Sequence, residues 1–210
     1  MIITQDQLIY HRGKVGVGAP ENSLQAMLFA AAEGATMVEF DVQEDLKIAH
    51  DPGASEDTLR LPDLLLALGG QVQVVIDIKD PACAGRILAA IRSAIATGRW
   101  RPEQFVVSSF CHNTVHVMKS AYSALRAGVT MEGVPLASYV HMLAQLRLNL
   151  HIDWKSVLMD RANNHFIRKV AQADKVPIWV YTVNDRAVAE EMLDYGAARI
   201  FTDRPDLLLG

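Results

Sequence analysis

Eight short apolar segments, each followed by an amphipathic helical stretch, predict an α/β chain folded as a closed parallel (β/α)8 barrel of the TIM type. Two further observations support this. The third segment, 72–79, is almost continuously apolar, as a parallel strand covered on both faces must be. The competing doubly wound sheet needs a Gly-x-Gly-x-x-Gly turn running from the first strand into a helix. Gly13, Gly16 and Gly18 are present, but a proline follows them and no helix starts at once. With 210 residues, half of them hydrophobic, one packed domain over 1–210 is the expected organisation.

The elements follow in order. Residues 8–13 form the first strand, and 14–21 a glycine-rich loop. Asn22 is the expected N-cap of a helix carrying Leu24, Met27, Leu28 and Ala31, ended near Gly34. Strand two is 37–42, with a hairpin extension to His50. Leu61-Pro62-Asp63-Leu64 opens a short helix that stops at Gly69-Gly70. After strand three, a helix over 82–96 places Ile87, Leu88, Ile91 and Ile95 on one face. Strand four is 105–110, with a helix near 114–123; strand five is 125–131, with a helix over 136–148. Strand six is placed at 157–160, before a helix at 164–173. Strand seven is 178–183, and 186–195 is helical with Gly196 at its end. Strand eight is 199–202, and Asp203-Arg204-Pro205-Asp206 begins a closing turn.

Composition excludes several function classes. A formal charge of −4 gives no basic footprint for nucleic acid. The first residues lack a basic stretch and a long apolar core, so no signal peptide is expected, and no apolar run approaches the roughly 18 residues of a membrane span. Cys83 and Cys111 make neither a disulfide framework nor a zinc signature. A cytoplasmic protein with free thiols is the expectation.

Residues 37–51 carry the densest chemistry. Glu39 and Asp41 lie two apart in a strand, so their side chains share a face and can converge on one divalent cation. His50 follows on the hairpin. Strand one ends in His11-Arg12, and strand three carries Asp77 and Lys79, again on one face. In a β/α barrel the C-terminal strand ends build the site. Other polar groups near such ends are Ser108, Ser109, Glu132, Asp160, Tyr181, Thr182 and Asn184. Three carboxylates against Arg12 and Lys79 leave one negative charge; a divalent cation turns this to one positive, which suits a phosphodiester anion. Histidine is the side-chain type suited to general acid–base work at neutral pH, which makes His11 and His50 the candidates for it.

At these residues the sequence resembles the glycerophosphodiester phosphodiesterase family. The resemblance runs through His11-Arg12-Gly13, Ala19-Pro20-Glu21-Asn22-Ser23, Glu39-Phe40-Asp41-Val42 and His50-Asp51. It continues in the strand ending at Lys79, in Val107-Ser108-Ser109-Phe110, in Val180-Tyr181-Thr182-Val183-Asn184-Asp185 and in Ile200-Phe201-Thr202-Asp203-Arg204-Pro205. It implies hydrolysis of glycerophosphodiesters to sn-glycerol 3-phosphate and an alcohol, with one Mg²⁺ or Ca²⁺ ion. Position by position it implies His11 and His50 as the acid–base pair, Glu39, Asp41 and Asp77 as metal ligands, and Arg12 and Lys79 as phosphate contacts.

Four departures mark this chain. Asp77 stands where the family usually has Glu, so its carboxylate reaches one methylene less far. The hairpin from Val42 to His50 is shorter than usual. Only 52–60 replaces the family's small cap, giving a minimal barrel whose pocket is open on that side or closed by another subunit of a homo-oligomer. Tyr181 replaces a Trp, and either stacks on a glycerol or alcohol moiety or simply packs the barrel top.

Glu132 reads as a solvated loop acid, Cys111 as inert, and Trp100, Trp154 and Trp179 as packing residues. His112, His116, His141, His151 and His165 match no motif and are expected on the surface or on helices. Two other readings stand beside the leading one. In one, the same chemistry serves a different or bulkier lipid-derived diester; in the other, the barrel binds phosphodiesters without turning them over.

Overall fold

The structure, a computed structural model, describes residues 1–16 and 20–209; Ala19 of the Ala-Pro-Glu-Asn segment lies outside them. Eight parallel strands close into a barrel in the order β1-β2-β3-β4-β5-β6-β7-β8. They are β1 (Leu8–Tyr10), β2 (Met37–Val42), β3 (Gln73–Ile78), β4 (Phe105–Ser109), β5 (Arg126–Met131), β6 (Asn149–Asp153), β7 (Ile178–Tyr181) and β8 (Arg199–Thr202). Between and after them run α1 (Leu24–Ala32), α2 (Leu61–Leu68), α3 (Ala84–Ala96), α4 (His112–Ala121), α5 (Ala137–Leu146), α6 (Trp154–Ala162), α7 (Phe166–Asp174), α8 (Arg186–Tyr195) and α9 (Pro205–Leu209).

Strand parity sorts the side chains into two cores. Ile9, Met37, Val75, Val106, Trp179 and Phe201 fill the barrel interior. Their neighbours in sequence, among them Leu8, Tyr10, Val38, Phe40, Val74 and Ile76, face the helices. The same parity that sends Met37 inward sends Glu39 and Asp41 inward one and two steps further up β2. The β2–β3 register sets Asp41 opposite Asp77, and the β3–β4 register sets Asp77 opposite Ser108. An apolar floor under a polar rim is therefore written into alternate positions.

Three expectations are corrected. Strand six is Asn149–Asp153; residues 157–160 belong to α6. Val157 and Asp160 are buried because that face of α6 packs inward, whereas Met159 is exposed; a short apolar run such as Val157-Leu158-Met159 does not by itself distinguish a strand from a helix. Asp160 is accordingly no rim residue. It accepts hydrogen bonds from the Ile167 and Arg168 amides and from the Tyr195 hydroxyl at 2.9, 3.2 and 2.6 Å. Second, the N-cap of α1 is Ser23, whose hydroxyl accepts from the Ala26 amide at 3.1 Å. Asn22 is freed for another task and sits at φ +55, a left-handed conformation that Asn tolerates. Third, β1 stops at Tyr10, and His11–Gly13 form a 3-10 turn.

Helix α2 has Pro62 in its first turn and ends at Gly69 in the left-handed conformation. Gly70 follows because a Cβ there would fall 2.0 Å from the Arg99 carbonyl oxygen. The hairpin after β2 forms as an antiparallel bridge between Val42 and Ile48. Buried Lys47 donates to the Ala54 carbonyl and pairs with Glu56, tying down the short loop that stands in place of a cap. None of the helices among the described residues is long and apolar enough to cross a membrane.

Candidate active site

An open cavity of about 240 Å³ lies at the C-terminal rim, and all eight sequence-derived site residues line it: His11, Arg12, Glu39, Asp41, His50, Asp77, Lys79 and Tyr181. Glu39, Asp41 and Asp77 are 3, 1 and 7 % exposed, yet each offers an oxygen within 4.8 Å of the others. Burying three carboxylates this close costs several kcal/mol unless cations compensate. Burial, with the charges of Asp41 and Asp77, holds the Glu39 carboxyl well above its usual range. Asp41 goes the other way. Against its own burial, the Lys79 charge, the Asn22 hydrogen bond and Arg12 hold it low. A clustered, hard-oxygen donor set with one member starved of positive charge fits a divalent cation of the Mg²⁺ or Ca²⁺ kind. The shorter Asp77 still reaches the cluster.

The cations interleave with these acids. Lys79 Nζ lies 2.6 Å from Asp77 Oδ2 and 2.9 Å from Asp41 Oδ1. Despite burial, those two charges raise its pKa. Arg12 is placed by backbone strain, at φ +53, with its amide donating to Glu39 Oε2 at 3.0 Å. Its Nη1 donates to Glu21 at 2.6 Å. Its Nε is 3.1 Å from Asp41 Oδ2, near enough for an ion pair but not aligned for a hydrogen bond.

The two histidines differ. His11 Nδ1 is 2.8 Å from Asp203 Oδ1, and its Nε2 is 3.9 Å from Glu39 Oε2. Against the cost of burial, hydrogen bonds from His11 and Asn184 hold Asp203 well below the usual carboxylate range. His50 sits at the outer edge with its side chain 45 % exposed and Nδ1 2.8 Å from Asp51 Oδ1. Its carbonyl accepts from Gln43 Nε2 at 2.6 Å, which anchors the hairpin end. The Tyr181 hydroxyl donates to the Met131 carbonyl at 2.9 Å, so it is the ring that faces the cavity, edge-on to Phe110 and Phe201.

Other residues complete the site. Asn22 clamps Asp41 from both sides, donating to Oδ2 at 2.8 Å and accepting from the Asp41 amide at 3.1 Å. Ser108 donates to Asp77 Oδ1 at 3.0 Å. Asn184 holds Asp203 by side chain and backbone, at 2.9 and 2.8 Å. In the sequence, a cap and a turn are sufficient to account for Asn22 and Asp203, and neither pattern reports their reach to Asp41 and His11. The third addition is His151. It is no surface residue: it points inward from β6 and is 1 % exposed. His112 is half-buried between Tyr139 and the Thr130 carbonyl, and His116 and His141 are exposed.

A β/α barrel with this rim, three converging carboxylates with two cations and two histidines, is equipped for hydrolysis of a phosphate diester. The profile of the Glycerophosphoryl diester phosphodiesterase family matches residues 69–207. The chain belongs to that family and is a phosphoric diester hydrolase. The match includes Asp77, Lys79, Asn184 and Asp203, while His11, Glu39, Asp41 and His50 lie ahead of it. No curated protein matches the chain.

Among solved structures, it is similar to a phosphodiesterase from Oleispira antarctica in complex with the product sn-glycerol-3-phosphate. That pair shares 19 % identity over 96 % of this chain and 94 % of the other, at a TM-score of 0.77. A glycerophosphodiester phosphodiesterase from Parabacteroides distasonis shares 17 % over 95 % and 93 %, at 0.76. One from Agrobacterium tumefaciens shares 21 % over 97 % and 98 %, at 0.71. At these identities the likeness shows the fold.

Proposed function

We propose that the protein hydrolyses glycerophosphodiesters to sn-glycerol 3-phosphate and an alcohol, with a divalent cation, Mg²⁺ or Ca²⁺, held by Glu39, Asp41 and Asp77. The observation that carries this is the convergence of those carboxylates with Arg12, Lys79, His11 and His50 on one cavity. When bound, the ion supplies positive charge against the phosphate oxygens. Arg12 and Lys79 add to that charge and orient the diester, which lowers the cost of bringing an oxygen nucleophile to phosphorus. One histidine takes the proton of the attacking hydroxyl, and the other returns a proton to the departing alcohol oxygen as the P–O bond breaks. With Nδ1 engaged by Asp203, His11 presents Nε2 for this transfer.

The test is release of alcohol from glycerophosphocholine and from bis(4-nitrophenyl) phosphate, before and after metal stripping. Activity that vanishes on stripping and returns with Mg²⁺ or Ca²⁺ supports the proposal. Full activity in the stripped protein overturns it.

A second reading keeps the chemistry and enlarges the substrate. The exposed side of His50 and the half-exposed Phe110 ring beside the cavity favour it. Faster turnover of a lysophospholipid than of glycerophosphocholine would select that reading.

A further inference from the structure

Beneath the charged rim the cavity ends on His151, and this imidazole has no partner. Neither ring nitrogen has a hydrogen-bond partner among the described residues, although both are buried. The ring is stacked on Trp179 at 4.6 Å and 7°, with the edge of Phe201 5.4 Å away. It lies over Gly128 on β5, where a Cβ would fall 2.3 Å from His151 Nε2, so the strand is stripped of a side chain to make room for the ring. A buried polar group left unpaired is destabilising, and a group that only packed Trp179 would be better served by an apolar ring. His151 nevertheless lines the same cavity as the rim residues, beside Thr130, Tyr181 and Phe201.

The ring is neutral. Burial, with the nearby charge of Arg126, pushes it down to about 3. Arg126 and Arg199 lie over the Trp179 ring, 5.4 and 5.8 Å from its centre, and place further positive charge near this end. A neutral imidazole offers one N–H donor and one lone-pair acceptor. It complements a group that both accepts and donates, and it gives a cation such as a quaternary ammonium nothing to pair with. An anion would find only one donor.

We propose that His151 binds an uncharged alcohol hydroxyl of the substrate at the inner end of the cavity and makes the enzyme selective for hydroxyl-bearing diesters. This rests on the proposed function for the identity of the phosphate end, but not for its own test. The hydroxyl belongs either to the glyceryl arm or to the alcohol that leaves, and the two arms of the experiment separate these.

Calorimetric titration in Mg²⁺ buffer compares sn-glycerol 3-phosphate with propyl phosphate, which has the same charge and no hydroxyls. A second arm, made in a His11→Ala background so that no diester is turned over, compares glycerophosphoglycerol with glycerophosphopropanol as competitors for sn-glycerol 3-phosphate. In at least one arm the protein with His151 intact is expected to bind the hydroxylated member about tenfold tighter or more, the scale of one satisfied buried hydrogen bond. His151→Phe is expected to bring that ratio near one. His151→Leu makes the same test should the larger ring not fit over Gly128. No preference in either arm, or a preference that survives loss of the imidazole in a folded variant, overturns the proposal. Because the readout is binding, a protein that shows the preference but hydrolyses no diester would sink the proposed function and leave this inference standing.

Discussion

His11 Nδ1 and Asp203 Oδ1 lie 2.8 Å apart, across 192 positions of sequence, and join the first strand's end to the last. Asn184 grips the other carboxylate oxygen, so the pair is held from behind. On the proposed mechanism Asp203 fixes which nitrogen of His11 faces the substrate. Asp203→Ala should lower kcat by about tenfold or more, part of the 10²–10⁴ that positioned proton transfer supplies. KM should change little. Steady-state kinetics checks this, and a loss confined to KM would assign Asp203 to binding instead.

The pH dependence of stability should report the carboxylate cluster. Without a cation Glu39 is held well above its ordinary range by burial and by Asp41 and Asp77. Between its ordinary and its raised value the folded chain keeps a proton that the unfolded chain has released. Stability therefore falls as pH rises through that interval. A divalent cation replaces the proton and removes the fall. The increase in Tm on adding Mg²⁺ or Ca²⁺ should thus be larger near pH 8 than near about pH 5. Thermal melts at the two pH values, with and without metal, make the measurement.

Asn22→Ala should weaken metal binding by about 10- to 100-fold, the usual effect of removing a group that orients a ligand. It frees Asp41 on both its carboxylate and its amide side. Calorimetry with the metal alone reads the affinity. An unchanged affinity would show that the strand by itself holds Asp41.

Asp160 should matter for folding and not for turnover. Tyr195→Phe removes one hydrogen bond to a buried carboxylate, at about 1.5–3 kcal/mol. Asp160→Ala strands three donors and should cost more than Tyr195→Phe. Urea unfolding gives both values. A marked loss of kcat at unchanged stability would contradict the structural role.

Gly128→Ala should destabilise by about 1–3 kcal/mol, the cost of overpacking, because its methyl meets the His151 ring. In His151→Ala the same methyl has space. A double-mutant cycle by urea unfolding should therefore be strongly non-additive.

Much of this was legible in the sequence because both the barrel and its rim follow simple periods. Alternation in β2 and β3 puts Glu39, Asp41 and Asp77 on one face, and no tertiary information is needed for that step. Strand six is obscured because its apolar content, Leu150 and Ile152, is broken by His151, while α6 presents a short apolar run, Val157-Leu158-Met159, nearby. The same failure hid His151, since a histidine is assigned to an interior only once its strand is placed. Asn22 and Asp203 were readable as local turn chemistry, and their reach to Asp41 and His11 depends on long-range closure that no local pattern reports.

The seam between β1 and β2 carries one further consequence. Among the described residues only Tyr10 and Val38 are paired across it, whereas β1 and β8 share three paired positions. Beyond Tyr10 the two chains are joined by the Arg12 amide on Glu39 and by the Asn22 clamp on Asp41, groups of the proposed cation site. Zipping the barrel shut and assembling its reactive centre thus share the same few contacts. Deuterium uptake at the amides of Tyr10–Gly13 should slow when a cation binds, well beyond the change at the β3–β4 ladder.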